Sequence, residues 1–81
     1  MNARKPSKRI SATALAFEIK AKFIAHREKR LATELLNKEI CRYMIEYQDV
    51  LFVNGDFNTQ MHNILGKRRI EYMKSVCVNN N

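Results

Sequence analysis

Only three residues of this chain, Pro6, Gly55 and Gly66, belong to the two types that most readily interrupt regular structure. A loop-rich or all-β fold needs far more of them, so a mainly α-helical domain is the economical reading. The 46% of hydrophobic residues suits a globular protein rather than a disordered one. At 81 residues there is room for one domain, and a single core of that size is thin. Pairing with a second copy would relieve that shortage, and a homodimer is expected.

Apolar spacing divides the chain. Residues 1–10 have no apolar periodicity, contain the only proline and form a flexible basic arm, leaving 11–78 as a single helical domain and 79–81 as a polar tail. Ser11 or Thr13 can cap a first helix, along which Ala12, Leu15, Ala16, Ile19 and Phe23 recur at helical steps. The same segment also alternates through Thr13, Leu15, Phe17 and Ile19 as a half-buried strand would, but its alanines favour helix. Leu31, Ala32, Leu35, Leu36, Ile40, Tyr43, Met44 and Tyr47 then populate one broad face of a central helix over about 28–48. The polar block at residues 26–30 leaves open whether 12–48 is one helix or two, for two or three helices in all, and without glycine or proline we expect continuity or a soft kink there rather than a long loop. Asn54-Gly55 marks a turn. It could close a short β-hairpin between 50–53 and 56–59, but the polar residues after it favour a plain connection to a C-terminal helix over about 58–77, capped by Asp56, Asn58 or Thr59.

Charge is distributed unevenly along this pattern. The net charge is +7, with +4 in residues 1–10, +3 in 11–30, −3 in 31–56 and +3 in 57–81. Cationic ends around an acidic, apolar-rich centre suit a partner that is a polyanion. Candidate phosphate contacts are Arg4, Lys5, Lys8 and Arg9 in the arm, with Lys67, Arg68, Arg69 and Lys74 in the last helix. Lys and Arg release counterions on meeting phosphates, which supports binding without sequence preference. The bland alternative is a solvated surface that keeps a small protein soluble.

Two compact DNA-binding motifs can be tried. A helix-turn-helix on 58–73 is met by Met61, Leu65 and Gly66, but His62 stands where a small residue is wanted and Lys67 where an apolar one is. Without it, this stretch reads as one amphipathic helix with an internal glycine. A ribbon-helix-helix would take its strand from residues 8–19, but the only strong turn comes far too late for its helices. Tyr43, Tyr47, Phe52 and Phe57 lie around the acidic segment rather than among the cations, so they read as core or partner surface instead of base-stacking platforms. Leu36, Ile40, Tyr43, Met44 and Tyr47 are the candidate dimer or partner interface, with Cys41 and Ile45 beside them.

Other classes of function find little support. His26 and His62 lack companions arranged for acid–base or nucleophilic chemistry, and Gly66-Lys67 lacks the rest of a phosphate-binding loop. We therefore expect no enzyme, no small-molecule substrate, no cofactor and no metal. Cys41 and Cys77 form no CxxC pair and suit a reducing cytoplasm. No apolar run approaches a membrane span, and Glu18, Lys20 and Lys22 interrupt any export signal. The remaining alternative is a small helical adaptor or inhibitor that binds a larger protein through the apolar face of residues 31–53 or through its basic ends, the charge steering it to an acidic partner.

Overall fold

A computed structural model describes residues 10–79, with side chains through Val76. In chain order the elements are α1 (Ala12–Arg27), α2 (Thr33–Glu46), α3 (Gln48–Leu51), β1 (Phe52–Val53), β2 (Asp56–Phe57), α4 (Thr59–Leu65) and α5 (Lys67–Asn79). The domain is mainly helical with one two-stranded antiparallel hairpin. The expected basic arm, including Arg4, Lys5, Lys8 and Arg9, and the last two asparagines lie outside the described residues.

Residues 12–19 are helix, so the strand that a ribbon-helix-helix requires is not formed there. Ser11 caps α1: its Oγ accepts from the Ala14 amide at 3.0 Å. Leu15, Ala16 and Ile19 enter the core from α1, Leu36, Ile40 and Tyr43 from α2, and Met61, Leu65, Ile70 and Met73 from α4 and α5. Burying a side chain of the size of Leu or Ile stabilises the fold by roughly 1.5–3 kcal/mol, so this cluster supplies most of the gain in so small a domain.

Of the two courses open at residues 26–30, the chain takes the break, and neither continuity nor a soft kink is observed. The chain leaves the helix at Glu28 and resumes only at Thr33, because Lys29 adopts a left-handed conformation with φ 64°. The Arg30 amide donates to the Ala25 carbonyl at 2.8 Å and the Lys29 amide to the His26 carbonyl at 3.0 Å, the paired bonds of a Schellman ending. Glycine normally occupies this position because a Cβ there is strained, and lysine has been accommodated instead. Lys29→Gly is accordingly expected to raise stability by about 1 kcal/mol, measured as a higher midpoint of urea unfolding.

The Asn54-Gly55 turn closes a hairpin after all. Asn54 and Gly55 have φ of 53° and 85°, the two successive positive values of a type I′ turn, and Phe52 pairs with Phe57 and Val53 with Asp56. Strands of two residues demand little β propensity, which is how the hairpin coexists with the polar sequence around it. Asn58 joins the surrounding pieces. Its Nδ2 donates to the Val50 carbonyl, its amide donates to Leu51 at 2.8 Å, and its Oδ1 accepts from the Met61 amide at 3.1 Å as the N-cap of α4.

The single C-terminal helix expected over 58–77 is also divided. Gly66, at φ 90° and ψ 159°, ends α4 in a region open essentially to glycine alone, and α5 starts at the next residue. A one-residue joint is too short for the turn of a helix-turn-helix. It nevertheless gives the Lys-Arg-Arg segment a helix N-terminus of its own.

Candidate nucleic-acid interface

The first turn of α5 contains three consecutive cations, and the fold gives them different roles. Lys67 and Arg68 are exposed. Among the described residues neither makes an ion pair. Arg69 is half-buried: its Nη1 donates to the Leu65 carbonyl at 3.0 Å, and its guanidinium lies 5.8 Å from the centre of the Phe23 ring. Arg69 thus caps the end of α4 and ties the start of α5 to α1. Lys74 stands one turn onward, 3.8 Å from Glu71 on the same helix.

The placement of Lys67 and Arg68 opposes what helix stability alone would select. The N-terminus of a helix carries a partial positive charge that favours anionic side chains, and α5 has no acidic residue in its first turn. Two exposed cations there leave a local field that attracts an anion.

A second basic group lies at the junction of α1 and α2. Arg27, Lys29 and Arg30 are all exposed around an open depression of about 520 Å3. His26 Nε2 and Thr33 Oγ1 stand 2.8 Å apart across the junction, while Arg30 pairs with Glu28, leaving two positive charges over the turn. From the sequence this block shows only as a possible break in the helix. Its local excess of charge was visible, but its arrangement around a tight turn was not.

Part of the acidic middle is offset from within. Arg42 bonds Glu39 at 2.7 Å and Glu46 at 3.1 Å along α2. The hydrogen bond from Arg42 holds the Glu39 carboxyl below the usual carboxylate range, against a smaller opposing effect of burial. Tyr43 donates to Glu18 Oε2 at 2.8 Å, joining α2 to α1. Burial first, then this bond to Glu18, pushes the phenol up from its ordinary value. A folded-state value raised in this way contributes stability that is complete below about pH 10 and falls as the pH rises above it. Alkaline melting curves should show this loss in the wild type and much less of it in Tyr43→Phe.

The proposed dimer surface requires correction. Leu36, Ile40 and Tyr43 are at most 1% exposed because they pack against α1 and α5 of the same chain, so they offer nothing to a partner. Met44 and Tyr47 are half-buried against that core. Among the described residues the exposed large apolar side chains are Phe17, Leu35, Ile45 and Val53, of which Leu35, Ile45 and Val53 lie on the 31–53 segment expected to meet a protein partner. Among the described residues no group of His, Cys, Asp and Glu is arranged to hold a metal, and no helix is long and apolar enough to cross a membrane.

The described molecule is therefore a small helical domain with a hairpin insert, with one group of exposed cations at the α1–α2 junction and another at the start of α5. Residues 10–78 match the family described as "Conserved hypothetical protein", and the chain belongs to that family. No curated protein and no solved structure matches it.

Proposed function

We propose that this protein is a small, non-catalytic nucleic-acid-associated regulator of the cytoplasm. Lys67 and Arg68 meet backbone phosphates, the arm residues Arg4, Lys5, Lys8 and Arg9 extend the contact, and Lys74 adds to the field. The observation that carries the reading is the exposed Lys67-Arg68 pair on a helix turn that contains no acid and already favours anions. Arg69 serves this surface by holding α5 against Phe23 rather than by reaching outward. A homodimer would present two such surfaces. Its contact would have to use Ile45 and the exposed edges of Cys41, Met44 and Tyr47, since Leu36, Ile40 and Tyr43 are interior.

A second reading, a helical adaptor or inhibitor of a larger protein, is favoured by Ile45 and Leu35, which are 66% and 53% exposed on α2. Titration of duplex DNA and single-stranded RNA with the wild type, Lys67→Ala/Arg68→Ala and Ile45→Asp separates the two. The first reading expects weaker binding and a shallower salt slope only in the double variant. Nucleic-acid binding that is absent at low salt, or unaffected by the double variant, would contradict it.

A further inference from the structure

We infer that the α1–α2 turn is a second phosphate-contacting surface, with Arg27, Lys29 and Arg30 engaging the same nucleic-acid backbone as the first turn of α5. The inference rests on the nucleic-acid reading and adds residues that the charge pattern of the sequence did not single out.

Three observations converge on this turn. First, its cations are exposed and numerous: Arg27, Lys29 and Arg30 stand against Glu28 alone and border an open depression. Second, their backbone is pinned. The amides of Lys29 and Arg30 both close back onto α1, and the ring of His26 meets Thr33 at 2.8 Å, so the side chains project from a defined turn. Less conformational freedom is then lost on binding than from an unstructured basic tail.

Third, the turn and the start of α5 share a support. Phe23 lies one helical turn before Arg27 on the same face of α1. Its ring is 5.7 Å from that of Tyr72, edge to face, and 5.8 Å from the Arg69 guanidinium. The first turns of α5 are thereby held to the C-terminal part of α1, just before the basic turn begins. Both cationic groups are thus carried by one packed unit, as contact with one phosphate backbone would require.

Ordinary helix capping accounts for only part of this arrangement. Arg27 in the last turn of α1 is favoured by the helix dipole, and an isolated basic residue there would need no further explanation. Lys29 is different, because its left-handed backbone is the position at which glycine serves the fold better. A lysine at that point puts charge on the turn at the expense of backbone comfort.

The test compares the intact wild type with Arg27→Ala/Lys29→Gly/Arg30→Ala on duplex DNA and on single-stranded RNA across about 50–300 mM salt. Loss of three phosphate contacts should lower the log–log slope by about 2.7 on duplex DNA and about 2.1 on single strands. The single changes Arg27→Gln and Arg30→Gln, which retain the turn, should each lower it by about 0.9 on the duplex, and Lys38→Ala on the outside of α2 should not lower it. Wild-type binding with a steep slope that the triple and single variants leave intact would overturn this inference alone. An equal effect of Lys38→Ala would also overturn it, by showing a response to net charge instead of to the turn. Failure of the wild type to bind either nucleic acid at the lowest salt would overturn the nucleic-acid reading itself and this inference with it.

Discussion

Deleting residues 1–9 together with Lys67→Ala and Arg68→Ala is expected to flatten the salt dependence of duplex-DNA binding by about five in log–log slope. The changes remove six cations, Arg4, Lys5, Lys8, Arg9, Lys67 and Arg68, and each phosphate contact contributes about 0.9 to that slope. Losing this many contacts lowers affinity by orders of magnitude near 50 mM salt and by much less near 200 mM, because the wild type is already weakened there. The fold should survive. Its described part begins with Ile10, packed against the core, and Ser11, the cap of α1, and Lys67 and Arg68 are exposed and without ion pairs among the described residues. Helix content measured by circular dichroism should remain unchanged while binding falls, and removing cations from the positive end of α5 should if anything support that helix.

The largest effect on stability should come from Ile40→Ala. Ile40 is wholly buried in the cluster shared by α1, α2, α4 and α5, and truncating such a residue costs about 2–5 kcal/mol through lost burial and the cavity left behind. For a domain whose total stability is on the order of 4–12 kcal/mol, that is a large fraction. A fall in Tm of at least about 10 °C is expected from thermal denaturation. The same experiment distinguishes the two places this residue could occupy. An interior Ile40 makes the loss independent of protein concentration, whereas a role at a dimer interface would make the loss shrink as concentration rises.

Much of the fold was legible because local chemistry and long-range packing agree. Ser11 caps α1 as its sequence position suggests, Asn58 is the one of the three proposed caps that acts on α4, and the helical spacing of Leu15, Ile19, Leu36 and Ile40 is the core spacing. The departures have physical reasons. A helix ending was not foreseen at Lys29 because a left-handed residue is usually announced by glycine, and here the hydrogen bonds of Ala25 and His26 enforce it on lysine. Residues 56–60 have poor strand propensity, yet the hairpin uses only two residues on each side of Asn54-Gly55. Gly66 was noted, but whether an internal glycine is carried within a helix or divides it depends on the tertiary contacts, including the grip of Arg69 on Leu65 and Phe23.

The candidate site was legible in part for a similar reason. Lys67, Arg68 and Arg69 are adjacent in sequence and share a helix turn, but only packing reveals that Arg69 is turned inward while the other two are exposed. An apolar stripe likewise shows which residues need cover and not what covers them. Leu36, Ile40 and Tyr43 have theirs from α1 and α5 of the same chain, which is why the expected interface became core.

The most direct measurement is a backbone amide chemical-shift titration of the full chain with a short DNA duplex at about 50 mM salt, where counterion-driven binding is strong. The largest changes should fall at residues 66–71 and 26–33 and fade as salt is raised. Amides that do not move at low salt, or changes confined to the outer face of α2 around Leu35 and Ile45, would contradict it.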